Sequence, residues 1–259
     1  MANPQHLELL KQGDSVWKTW RVEHPDEQPD LSEADLHEVD LHGFDLSEAN
    51  LSNAILTGAD LHETNLSEAK LIRTHLNNAN LTGANLIFAK MERADLSEAY
   101  VCDANLVLVQ LGRAELIKAV LRETCLLSAN LRGATLQEAD LSDAMLNEAY
   151  LDGADLTKVI LHNASLRKAQ LRGANLTKAV LHNANLYLAN LSGANLCLAD
   201  LSMANLNNAR LFGVQLPRAI LRGTIFKEAH CSGVDFSDVD MQNVDIREAY
   251  LVEPSFYKT

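Results

Sequence analysis

From Leu31 to Leu251 every fifth residue is apolar, with no slip of register anywhere along the span. Leucine fills these positions except at Met91, Val101, Phe226, Cys231, Phe236, Met241 and Ile246. Two residues ahead of each stands a small or β-branched residue, usually alanine, as at Ala34, Ala49, Ala104 and Ala164. A period of five suits neither regular element. On an α-helix each step of five advances about 500°, which smears the leucines around the cylinder instead of gathering them into a stripe. Along a straight strand an odd period sends successive leucines to opposite faces. The chain must instead turn through a constant angle after each five residues, so that every Ala and Leu points into one interior.

A second period, of 20, says how many fives close one coil. Glycines recur at Gly133, Gly153, Gly173, Gly193, Gly213 and Gly233, arginines at Arg73, Arg93 and Arg113, and Leu-His-Asn-Ala begins at both Leu161 and Leu181. The implied cross-section has four sides. Stacked at the usual inter-strand spacing, the repeats make about 11 coils and a column about 53 Å tall.

Tandem stretches such as GADLHETNLSEA and GANLTKAVLHNANL make residues 31–253 resemble the pentapeptide repeat proteins. That resemblance implies an all-β solenoid, a right-handed quadrilateral parallel β-helix with Leu and Ala inward and the other three residues of each unit outward. Glycine two places after the inward Leu fits a type II turn, which requires positive φ there.

Residues 1–30 lie outside the repeat. Within them, 4–24 read as an amphipathic helix, with Leu7, Leu10, Trp17 and Trp20 at helical spacing and Pro25 beyond its end. Such a helix caps the first coil, whose open edge otherwise exposes bare leucines and unpaired backbone groups. The family often carries a helix at this place, and the WKTWR stretch is similar to those of cyanobacterial members. At the other end Val234, Phe236, Val239, Val244 and Ile246 replace Ala and Leu, so the last coils have bulkier interiors. No capping helix is expected after Tyr250. The tail, 254–259, either folds over the open end or leaves it to a second copy in an end-to-end homodimer.

The N-terminus lacks a basic stretch followed by an apolar one, and no run of about 18 apolar residues occurs, so no membrane span is expected. Cys102, Cys125, Cys197 and Cys231 show no CxxC spacing, which points to reduced thiols and a cytoplasmic location. The net charge of −13 is very uneven. Residues 1–68 carry 15 acids against 3 bases, whereas between Leu156 and Lys227 the only acid is Asp200. The molecule is charge-polarised along its length.

An interior filled with Leu and Ala leaves no concave site for convergent catalytic groups, and no GxGxxG, P-loop, GxSxG or HExxH motif occurs. The expectation is a non-enzymatic, cofactor-free rigid scaffold for protein–protein interaction, without direct nucleic acid binding. A second reading comes from the resemblance: some members are DNA mimics that modulate or protect a type II topoisomerase, gyrase. Those members tend to be acidic along the whole rod, and here the middle is basic.

Four outward constellations are candidates for binding. Asp40, His42, Asp60 and His62 flank inward leucines one coil apart, close enough for two imidazoles to share a divalent ion with help from Glu63; as a solvated acidic face they need none. His162 and His182 repeat the spacing without the aspartates. The glycine column offers a smooth strip for close approach or simply satisfies its turns. Arg73, Arg93 and Arg113, with Lys70 and Lys90, form a cationic face able to meet an anion or an acidic partner. A fifth feature breaks the rule of polar exteriors: after Leu86, Leu106 and Leu126 come Ile87 and Phe88, Val107 and Leu108, then Leu127. These sites are 20 residues apart and stack on one face. A contiguous apolar patch on a polar exterior often marks an interface, with a partner or with a second copy.

Overall fold

The computed structural model describes residues 1–252. Parallel β-bridges join residue i to residue i+20, from Asp30↔Asn50 to His230↔Tyr250, so a coil takes four pentapeptides. Each pentapeptide contributes one bridging residue, the Asp or Asn position, followed by a two-residue turn.

One repeat, Ala49 to Asn53, shows why the motif has its composition. Asn50 donates its N–H to the coil on one side, at Pro29 O (2.8 Å), while Leu51 and Asn53 donate to the other, at Lys70 O (2.7 Å) and Ile72 O (3.0 Å). Ala49 closes the preceding turn on Leu46 O (3.1 Å). The one remaining N–H, that of Ser52, donates to the side-chain Oδ1 of Asn50 (3.2 Å). All five backbone donors are thereby satisfied. The preference for Asp or Asn before each Leu follows, since a short side-chain acceptor is what the first turn residue needs. Many of these amides also bond vertically, as Asn65 Nδ2 does to Asp45 Oδ1 (2.9 Å).

The inward leucines and alanines are almost all fully buried. Thr64, Thr74, Thr124 and Thr224 stand at alanine positions and are equally buried, each hydroxyl donating to a leucine carbonyl at 2.7–2.8 Å. That bond offsets the cost of sinking a hydroxyl among methyl groups. Near the C-terminal end Phe226 and Phe236 meet edge to face at 6.2 Å.

The second turn residue has positive φ at every kind of corner. Besides glycine, 33 of the described residues adopt it, with φ between 53° and 62°. The type II turn expected at glycines is therefore general among the described corners, with Asp238 the exception.

The N-terminal segment forms two helices where the spacing suggested one: α1 (Pro4–Lys11) and α2 (Asp14–Glu23). Gly13, at φ 98°, divides them. The break lets Leu10, Trp17 and Trp20 enter one hydrophobic cluster with Leu31 to Leu46, and leaves Leu7 half-buried. Trp17 Nε1 donates to Asp45 O (2.7 Å), and Arg21 donates to Ser47 O (3.2 Å). His6, only 3 % exposed, ties the cap to the first coil. Its Nδ1 accepts from Asp30 N (2.9 Å), which places the ring proton on Nε2, facing Glu27 Oε1 at 3.0 Å.

The last coil is less well covered: Met241, Val244, Ile246 and Leu251 are only partly buried. The tail 254–259, expected to cap this end or yield it to a second copy, lies outside the described residues.

Candidate functional site

Phe88 and Leu108 occupy the same turn position one coil apart, both at φ 58°. Phe88 N donates to Val107 O (3.1 Å) and Leu108 N to Leu127 O (3.0 Å), so the corners stack. Positive φ at this position throws the side chain outward. Phe88 is 52 %, Leu127 40 % and Leu108 38 % exposed, while Ile87 and Val107 are half-buried against them. Phe88 and Leu108, with Glu68, Lys90 and Gln110, line an open groove of about 450 Å³.

The patch reaches further than the two residues after each leucine. Met145, 46 % exposed, bridges to Cys125, beside Leu127. Met145 was not singled out from the sequence because it stands before its leucine, where Asp and Asn are usual; the spacing of 20 to Cys125 was the available signal. Exposed apolar residues also occur higher on the rod. Leu188 stands four coils above Leu108 in the same column, Leu198 and Phe212 stand in other columns, Ile220 and Ile225 are exposed, and the Met203 thioether covers the bare Cα of Gly223.

Beside the apolar corner, Lys70 bridges directly to Lys90, and Arg73, Arg93 and Arg113 stack along the next corner. No ion pair involves any of these five among the described residues. Higher up, charged columns alternate in sign. Lys158 meets Glu138 at 2.6 Å, Lys168 meets Glu148 at 3.0 Å, and Asp152 sits between Arg132 and Arg172 at 3.3 and 3.2 Å.

His42 and His62 do stack, with ring centroids 4.8 Å apart. The aspartates, however, serve the backbone: Asp40 Oδ1 accepts from His42 N (3.0 Å), and Asp60 Oδ1 from His62 N and Asn80 Nδ2 (both 3.1 Å). His42 Nδ1 donates to His62 O (2.9 Å). Among the described residues no group of three or more ligating side chains is placed to hold a metal ion. His162 and His182 lie parallel at 5.3 Å. In the glycine column from Gly153 to Gly233, an added Cβ would meet nothing within 4 Å, so that corner is bare backbone. No helix among the described residues is long and apolar enough to cross a membrane.

No functionally curated protein matches the chain. Among solved structures it is similar to HetL, a pentapeptide repeat protein involved in heterocyst differentiation regulation from the cyanobacterium Nostoc sp., at 28% identity over 92% of this chain and 98% of that one, with a TM-score of 0.64. A pentapeptide repeat protein of the Arabidopsis thaliana thylakoid lumen shares 34% identity over 38% of this chain and 68% of its own, with a TM-score of 0.37. QnrB1, a plasmid-mediated fluoroquinolone resistance protein, shares 18% identity over 85% and 93%, with a TM-score of 0.32. The family model for pentapeptide repeats matches in eight copies over residues 30–67, 59–97, 94–133, 125–163, 164–202 and 204–243. With a twenty-residue coil, leucine-filled interior and matching repeats along most of its length, the chain belongs to the pentapeptide repeat family.

Proposed function

We propose that this protein is a non-enzymatic scaffold that docks another protein on the corner formed by Ile87, Phe88, Val107, Leu108 and Leu127, extended by Met145. The observation that carries the reading is the contiguous exposure of Phe88, Leu108 and Leu127 on a rod whose turn residues are otherwise mostly polar. Aromatic and aliphatic side chains in a shallow groove are the usual anchors of a protein interface, and burying them accounts for most of its affinity. The corner belongs to a rigid stack, so docking costs little ordering of the scaffold itself. The likeness to HetL, whose role is regulatory, supports an interaction role in this chain.

The test compares wild type with the Phe88→Ser, Leu108→Ser double variant in a crosslinked pull-down from host lysate. A specific partner captured by wild type and lost by the variant, at unchanged melting temperature, is the expected result; an identical capture profile eliminates the corner. DNA mimicry of a topoisomerase substrate is disfavoured by charge, since a mimic must present a continuous run of anions. A gyrase supercoiling assay is accordingly expected to be unaffected by the protein.

A further inference from the structure

We infer that the side of the rod between the Phe88–Leu108 corner and the Arg73–Arg93–Arg113 corner binds a short acidic segment of another protein, extended, with apolar side chains alternating with carboxylates. This inference rests on the docking reading above and specifies the chemistry of its partner.

Three observations carry it. First, cations outnumber carboxylates there and like charges stack: Lys70 on Lys90, and Arg73, Arg93 and Arg113 in a column, five cations with only Glu68 and Glu92 beside them on that side and no ion pair to any of the five among the described residues. Like charges directly opposite each other on neighbouring strands are destabilising, and elsewhere on this rod cations one coil apart from a carboxylate pair with it, as Lys158 does with Glu138. An incoming carboxylate relieves the repulsion. Second, Lys90 lines the same groove as Phe88 and Leu108, with Glu68 one coil below Phe88, so a ligand whose carboxylate lies toward Lys90 and away from Glu68 meets an apolar wall and a cation together. Third, an extended segment sends successive side chains to opposite sides. Lying between the two corners, it presents one set to Phe88 and Leu108 and the other to the arginines.

The charge pattern also bounds the ligand. The cationic region is short and adjoins the strongly acidic N-terminal coils, where residues 1–68 carry 15 acids against 3 bases. A long polyanion such as duplex DNA would overrun into that region and be repelled. A second copy of this chain would have to offer that acidic end, whose repeats expose only Ile55 among large apolar residues between Asp30 and Glu68. It has carboxylates without the anchors.

The experiment is fluorescence anisotropy with three labelled peptides on the full chain: Leu and Phe alternating with Glu, the same with Lys replacing Glu, and Ser alternating with Glu. The first is expected to bind, with affinity falling as salt is raised. Lys90→Glu with Arg93→Glu, and separately Phe88→Ser with Leu108→Ser, should each weaken it about tenfold, the loss expected for one good anchor. Lys90→Gln with Arg93→Gln serves as the milder pair should the reversal fail to fold. Absence of binding, equal binding of the Lys peptide, or equal binding of the Ser peptide overturns the inference. So does displacement of the peptide by duplex DNA, or salt-sensitive self-association of wild type that the charge reversal abolishes. Binding of both apolar peptides lost only in the Phe88, Leu108 variant sinks the acidic partner while leaving the docking corner standing; a pull-down unaffected by that variant sinks both.

Discussion

At the corners, strain and chemistry are separable residue by residue. Glu98 and Lys178 hold φ near 60° as Gly193 does at 70°, so the turn is imposed by the coil and not by its occupant. A non-glycine residue in this region is strained by about 1 kcal/mol. Because an added Cβ at Gly193 meets nothing within 4 Å, Gly193→Ala should lower stability by only about that amount, measured by denaturant unfolding; a much larger loss would mean a hidden contact. The cysteines divide similarly. Cys102, Cys125 and Cys197 are half-buried, whereas burial pushes the Cys231 thiol up to about 12. Since the thiolate is the reactive form, iodoacetamide should leave Cys231 unlabelled in the native protein and reach it on unfolding, as mass spectrometry would read directly.

Among the elements, the cap is where sequence and structure part. The odd period and the step of 20 made the coil legible, because only one geometry keeps every leucine inside. Trp17 and Trp20 were legible as cap residues for the same reason, being large apolar groups at helical spacing. The division of the helix at Gly13 was not, since the apolar spacing continues across it. Nor was the role of His6, whose partners Glu27 and Asp30 come from the irregular linker. Positive φ at glutamate and lysine corners carries no signal in the residue type, only in its place two residues after the inward leucine. The cap also has a pH response. Burial works to raise the Asp45 carboxyl, but hydrogen bonds from Ser47 and the Arg21 guanidinium, 3.7 Å away, hold it below its ordinary 3.8. A carboxyl with a lowered folded value stabilises the fold above its ordinary value, and that contribution is lost as pH falls through the folded one. Fluorescence of the two tryptophans, both in the cap, should therefore report loosening in acid, and Asp45→Asn should remove part of that pH dependence. An unchanged profile would place the acid sensitivity elsewhere.

Taken whole, the rod is a stack in which each coil bonds only to its neighbours, so stability is expected to vary along it. Inward residues in the middle are fully buried, whereas Met241, Val244, Ile246 and Leu251 are not. Amide hydrogen exchange should be fastest in the last coil and slowest in the centre; uniform protection would show a rod that opens only as one unit. The twenty-residue step has a further consequence, because it makes chain length equivalent to rotation. Removing residues 96–100, one whole pentapeptide, leaves every remaining leucine inside but turns all that follows by a quarter turn relative to what precedes. Arg113 then stands over Phe88, and Leu108 moves to a different side. Such a deletion should melt near the wild-type temperature yet lose docking at the corner, in contrast to a one-residue deletion, which would drive leucines outward. The protein's surface is thus written in angular phase, and whole pentapeptides can be gained or lost without harm to the core while redirecting what the rod displays.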